Sequence, residues 1–326
     1  MREMFVDKNF RAETLTIIEM CVEVLADYAA DGYDLTLRQL YYQMIARDLF
    51  PESWVDPVEG TKNNQKNYTR LGSIVNDARL AGLMDWDIIV DRGRSTEANS
   101  HWRHPGSILK SAATWFGIDK WHDQPVRIEV MCEKQALEGV LVPVCNELDV
   151  PFTSNKGYAS QSFMYRKGKE MARAAADGKD VHILYLGDHD PSGLDMDRDV
   201  EERLRMFAGH ELALYFKSLD LTRVALTTIQ VRTHKPPPNP AKMTDSRVGP
   251  YIKKYGRQSW ELDALEPRIL AELVRDEVED LRDEEKWERA CQDEADMKAE
   301  LEAIAKTYDA ERWFKEWEQR EREEGV

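Results

Sequence analysis

The sequence lacks any apolar run long enough to cross a bilayer, so no membrane-spanning helix is expected. It has few cysteines: Cys21, Cys132, Cys145 and Cys291 are widely spaced and form no CxxC pair. That spacing argues against a disulfide framework and predicts reduced, mostly buried thiols in a cytoplasmic protein. The stretch MREMFVDKNF is charged and has no apolar signal core. There is no P-loop, so nothing in the motifs supplies nucleotide hydrolysis. No internal repeat is present.

Excess positive charge is also missing, and the net charge is −16. Its distribution matters more than its sum. From Ser259 onward there are 24 acidic and 11 basic residues, which leaves the rest of the chain nearly neutral. Two basic segments stand out there. Residues 61–110 carry Lys62, Lys66, Arg70, Arg79, Arg92, Arg94, Arg103 and Lys110. Residues 232–258 carry seven Lys and Arg against the single acid Asp245. Local patches of this kind are compatible with phosphate contact on an acidic protein.

The 326 residues, 42% of them hydrophobic, suffice for two or three domains with their own cores. Apolar spacing predicts helices over 12–30, 37–49 and 68–83, the second capped by Thr36 and ended by Pro51. Residues 51–66 read as a loop, and 87–91 as a short strand before the turn Arg92-Gly93-Arg94. Helices followed by a strand and a basic turn are the order of a winged helix-turn-helix.

From residue 126 the pattern alternates. Strands are expected at 126–131, 150–153, 181–186 and 224–231, with helices at 135–148, 161–176 and 193–207. This predicts an α/β layer with a mostly parallel sheet. The run HKPPPNP (234–240) is a rigid connector, and 260–326 is largely helical. The expected division is 1–115, 116–265 and an acidic helical tail, 266–326.

The sharpest chemical signal lies at two strand ends. One reads Cys132-Glu133-Lys134, the other Gly187-Asp188-His189-Asp190-Pro191-Ser192-Gly193. Parallel strands end along one edge, where such folds place their sites. Asp188 and Asp190 are two apart and project to the same side of an extended chain, and His189 projects to the other. With Glu133 they make three converging carboxylates, which repel unless a hard cation such as Mg2+ sits among them. The alternative is an ordinary helix cap, since an Asp before Pro-Ser-Gly suits a helix start.

CEKQAL (132–137), NKGYAS (155–160) and LGDHDPSG (186–193) resemble, in order, three signatures of the topoisomerase VI A subunit and the related meiotic double-strand-break protein. The carboxylates resemble the Toprim metal site of topoisomerases and primases. A fourth motif, Arg38-Gln39-Leu40-Tyr41-Tyr42, resembles the family's tyrosine motif. The resemblance covers residues 12–265 and implies a winged-helix domain followed by a Toprim domain. It implies that Tyr42 is the nucleophile, with Tyr41 packed inward, and that DNA is cut through a 5′-phosphotyrosyl bond leaving a free 3′ hydroxyl. Arg38, four residues earlier on the same helical face, is placed to assist a phenol whose ordinary pKa is about 10. Glu133, Asp188 and Asp190 would hold the Mg2+.

Two cuts need two tyrosines, so a homodimer on double-stranded DNA is expected, with each tyrosine facing the partner's metal site. Arg70, Arg92, Arg94, Lys134 and Lys156 are the expected DNA contacts; a solvated wing turn and a surface lysine are the bland alternatives. Topoisomerase VI works with a separate ATPase subunit, so either such a partner supplies the ATPase here or the protein acts without one. The acidic tail matches no family pattern. The segment YGRQSWELDALEP (255–267) is distinctive but carries no assignable chemistry, and its Trp260 and Leu262 are expected to pack the basic connector onto the Toprim domain. Two other readings share the same residues: a Toprim nuclease that uses water, and a non-catalytic DNA clamp. The expected location is cytoplasmic, with the nucleoid.

Overall fold

A computed structural model describes residues 2–307, 313–317 and 319–320, apart from 59, 90–98, 103 and 155–158. Its helices are α1 (Ala12–Ala30), α2 (Leu37–Ala46), α3 (Gln65–Leu80), α4 (Pro105–Trp115), α5 (Glu138–Glu147), α6 (Gln161–Ala176), α7 (Gly193–Leu214), α8 (Thr228–His234), α9 (Val248–Tyr255), α10 (Pro267–Leu281) and α11 (Glu284–Lys306). Its strands are β1 (Val126–Cys132), β2 (Phe152–Ser154), β3 (Asp180–Leu186), β4 (Leu219–Ala225), β5 (Asn239–Pro240) and β6 (Gln258–Ser259). The chain divides into two compact units, Met1–Arg94 with Val126–Leu281, and Ser95–Pro125 with Arg282–Val326. This division differs from the sequential one expected. The segment from 95 joins the last helix, and α10 stays with the larger unit.

In the larger unit, α1, α2 and α3 close one core. Ile17, Ile18, Cys21, Val24, Leu25 and Tyr28 bury one stripe of α1 against Leu40, Met44, Leu71 and Val75. The helix starts follow local chemistry. Thr36 and Gln39 exchange hydrogen bonds in a capping box, and Asn64 accepts from the Asn67 amide at 2.9 Å, which starts α3 earlier than expected. Helix α2 stops before residue 49 because Asp48 takes a left-handed φ of 50°. Of the strand expected at 87–91, Ile89 makes a single parallel bridge to Leu35. The rest of that strand's end, with Arg92 and Arg94, lies outside the described residues.

The second layer is a parallel four-stranded sheet in the order β2-β1-β3-β4. β1 and β3 pair from Val126↔Asp180 to Cys132↔Leu186, so their C-terminal ends are level. This alignment sets Glu133 beside Gly187, and the Glu133 amide donates to the Leu186 carbonyl at 2.9 Å. Met164, Met171, Val200 and Leu204 from α6 and α7 cover one face with Ile183 and Tyr185, and α5 and α10 pack together. The fourth strand is not the expected 224–231. It runs Leu219–Ala225, and its apolar continuation turns helical because Thr227 and Gln230 form a capping box. A local cap outweighed a β-branched run.

In the smaller unit α4 packs on α11, and Trp121 lies 5.9 Å from Trp287 between ring centroids. Glu294 accepts from Lys120, Lys298 and the Ile118 amide. No helix among the described residues is long and apolar enough to cross a membrane. Cys21, Cys132 and Cys145 are buried free thiols.

Candidate active site

The C-terminal edge of β1 and β3 carries the expected carboxylates. The Glu133 Oε2 atom accepts from the Asp188 amide at 3.0 Å, so the two strand ends are tied by the first of them. Asp188 Oδ1 accepts from the Leu262 amide at 2.8 Å and stands 3.0 Å from Lys134 Nζ. Asp190 Oδ1 accepts from the Gly193 amide at 2.6 Å and the Ser192 hydroxyl at 2.8 Å. Asp190 therefore holds the turn before α7, whose N-cap is Ser192 rather than the expected Asp190, and its side chain also lines the cleft described below.

The loop is fixed from outside. Arg223 donates to the Asp188 carbonyl at 2.5 Å, the Gly193 carbonyl at 3.2 Å and the Asp197 carboxylate at 2.9 Å. A Cβ on Gly193 would land on the Asp188 carbonyl, and one on Gly187 would meet the Tyr185 ring at 2.8 Å and Glu133 Oε2 at 3.2 Å. Both glycines are required by close approach. His189 projects away from the carboxylates. Its ring nitrogens lie 3.1 Å from the Tyr251 hydroxyl and 3.0 Å from the Thr228 hydroxyl, and its backbone pairs with Trp260.

That pairing brings in residues the motifs did not point to. The segment after Trp260 places Glu261 and Asp263 against the site cations. Lys134 donates to Asp263 at 2.9 Å and to Glu261 at 2.8 Å. Arg38 donates to Glu261 at 2.5 Å, and its Nε stands 3.3 Å from Asp263 Oδ2 without hydrogen-bond alignment. Lys134, expected as a DNA contact or a surface lysine, is half-buried and paired with Asp188, Glu261 and Asp263. Burial disfavours its charge, but Asp263, Asp188 and Glu261 outweigh that and hold its pKa well above the usual value. Burial likewise opposes the ionisation of Glu261, and Lys134 and Arg38 reverse the balance, holding its carboxyl below the usual range.

Both tyrosines of α2 are buried, at 3% exposure each. Tyr41 packs inward, as expected: its hydroxyl accepts from the Asn64 amide at 2.9 Å and lies 3.1 Å from the Lys62 carbonyl. The Tyr42 hydroxyl has looser company, with Arg38 Nη2 and Asn239 Nδ2 each 3.4 Å away. The Arg38–Tyr42 contact is the expected one across a helical turn. Its electrostatic consequence is smaller than expected. Burial pushes the Tyr42 phenol up, Asp263 and Glu261 add to this, and Arg38 only partly opposes it.

Tyr42, Arg38, Asp188, Asp190, Asn239 and Glu261 line one cleft of about 310 Å3. The resemblance implied a tyrosine facing a partner's carboxylates; here Tyr42 shares a cleft with Asp188 and Asp190 of its own chain, and Glu133 is not among the residues that line it. Arg70 is stacked over Trp54, its guanidinium 4.2 Å from the ring centroid. Lys156 lies outside the described residues.

The three expected ligands are all carboxylates, the oxygen donors that hard cations take. Burial raises the Asp188 pKa to about 7, with Glu133 and Asp263 adding and Lys134 opposing, and burial and Asp190 raise that of Glu133. A divalent ion would relieve this repulsion. The arrangement is not closed around one point, however. Among the described residues no group of three or more His, Cys, Asp or Glu side chains could hold a metal ion as it stands. Compared with known proteins, the chain matches no family model, no curated protein and no solved structure.

Proposed function

We propose that the protein is a DNA transesterase resembling the topoisomerase VI A subunit, which cuts duplex DNA through a phosphotyrosyl link at Tyr42. The observation that carries this is the shared cleft, in which Tyr42 and Arg38 of α2 meet Asp188 and Asp190 of the sheet edge. In this reading α1–α3 form a winged-helix module and the parallel sheet is a Toprim domain.

The Tyr42 oxygen attacks a backbone phosphorus. The Tyr42 Oη–P bond forms, the P–O3′ bond breaks, and the phenolic proton ends on the departing 3′ oxygen. Arg38 and Asn239 stand beside the phenol and stabilise charge developing there. Glu133, Asp188 and Asp190 would hold Mg2+, which supplies Lewis-acid stabilisation when bound. A homodimer supplies the second tyrosine for the opposite strand, and a separate ATPase subunit governs any strand passage. Cytoplasmic location with the nucleoid follows from that substrate. Incubation with supercoiled DNA and Mg2+, quenched with denaturant, tests this: protein covalently attached to DNA is the expected product.

One observation favours a second reading. Tyr42 is buried and its phenol is held protonated, which suits a Toprim nuclease using water, with Tyr42 structural. That enzyme would leave cut DNA without attached protein.

A further inference from the structure

Glu261 collects three donors of different kinds. Arg38 reaches its Oε2 at 2.5 Å, Lys134 the same oxygen at 2.8 Å, and Asn239 its Oε1 at 3.2 Å. A guanidinium, an ammonium and a carboxamide around one anion are what a phosphodiester's unesterified oxygens require. Two of these donors also stand 3.4 Å from the Tyr42 hydroxyl. An anion seated there lies next to the phenol.

The donors are held by groups other than Glu261. Lys134 keeps Asp188 at 3.0 Å and Asp263 at 2.9 Å, and Arg38 keeps Asp263 at 3.3 Å. Asn63 donates to Asn239 Oδ1 at 2.9 Å, which turns the Asn239 amide nitrogen toward Glu261 and Tyr42. The carboxylate itself is the exchangeable member. The Glu261 side chain is 24% exposed, whereas that of Asp263 is 1% exposed. Glu261 lines the open cleft and sits at the start of the short 3-10 turn Leu262–Ala264.

We infer that Arg38, Lys134 and Asn239 form a subsite for one backbone phosphodiester of DNA, which Glu261 fills in the free protein and vacates when the phosphate enters. The inference rests on the reading of this cleft as a DNA site. While Glu261 is seated it also occupies Arg38, and its charge adds to the burial and the Asp263 charge that oppose the Tyr42 phenolate.

The test is binding of a fluorescent DNA duplex without divalent metal, followed by anisotropy at fixed salt, with thermal unfolding of every variant. Glu261→Gln keeps the shape and removes the charge, and is expected to bind about tenfold tighter, as one competing anion is lost. Asn239→Ala is expected to bind about 3–10-fold more weakly, one charge-directed hydrogen bond being gone. Unchanged or weaker binding by folded Glu261→Gln overturns the inference and leaves DNA binding itself standing. Should Glu261→Gln not fold, Asn239→Ala decides, and unchanged affinity there overturns it. Wild-type protein that binds no duplex sinks the DNA reading as a whole. Inorganic phosphate that displaces duplex from Glu261→Gln at matched ionic strength would assign the subsite to free anions instead.

Discussion

Arg38 and Glu261, 223 residues apart in sequence, meet at 2.5 Å in the cleft beside the Tyr42 hydroxyl. Helical spacing puts Arg38 against the tyrosine, where a cation favours a phenolate. Burial turns the balance the other way and raises the phenol pKa, with Asp263 and Glu261 adding to it. The position of the Glu261 carboxylate is one of these contributions.

The two adjacent tyrosines should separate cleanly in stability. The Tyr41 hydroxyl satisfies the half-buried Asn64 amide, and Tyr41→Phe orphans that group at a cost of about 1–3 kcal/mol. Tyr42→Phe loses two contacts of 3.4 Å and should cost under about 1 kcal/mol. Urea unfolding midpoints check the order; a larger loss for Tyr42→Phe would make its hydroxyl a structural group.

Two glycines of α7 should respond in opposite directions. Gly193→Ala drives a methyl into the Asp188 backbone, and is expected to cost about 1–3 kcal/mol and to displace the carboxylate loop. Gly209→Ala meets open space on the same helix and should be neutral or stabilising by about 0.5–1 kcal/mol. Calorimetry of both variants distinguishes a close approach from a general intolerance of the helix.

The smaller unit should be acid-sensitive through Glu294. Burial raises its pKa, but Lys120, Lys298 and the Ile118 amide dominate and hold it at about 2, against 4.5 ordinarily. A depressed folded-state pKa means the stabilisation is complete above the unfolded value. It is lost as pH falls from about 4.5 toward 2. Glu294→Gln should lower stability at neutral pH by about 1–2 kcal/mol and flatten the acid limb between those values. An unchanged acid limb, measured by unfolding across that range, would remove Glu294 from the account.

Asp188→Asn keeps an acceptor for the Leu262 amide and removes one of the three acids of the strand edge. Cleavage of duplex DNA is expected to fall by at least about 100-fold, as removal of divalent metal with a chelator should also do. Duplex binding measured in parallel should survive. Full cleavage by Asp188→Asn would show that the carboxylates do not take part.

Much of this arrangement is legible in the sequence where the signal is local. Helix α6 falls on the expected 161–176, because Ser160 caps it and its apolar stripe is regular. Glu133, Asp188 and Asp190 reach one edge because level strand ends follow from parallel pairing. The run 224–231 misleads because a capping box hides within β-branched residues. Glu261, Asp263, Asn239 and Arg223 carry no local mark, since their roles come from contacts with residues distant in the chain. The chemistry of the segment 255–267 is not readable from its residues, and the His189–Trp260 bridge ties it to the carboxylate loop.

The most direct measurement incubates wild-type protein and Tyr42→Phe with supercoiled DNA and Mg2+, quenches with denaturant, and asks whether DNA ends are joined to protein. The account predicts an adduct with wild type, its attachment mapped to Tyr42, and none with the variant. Cut ends without attached protein, equal in both, would contradict it.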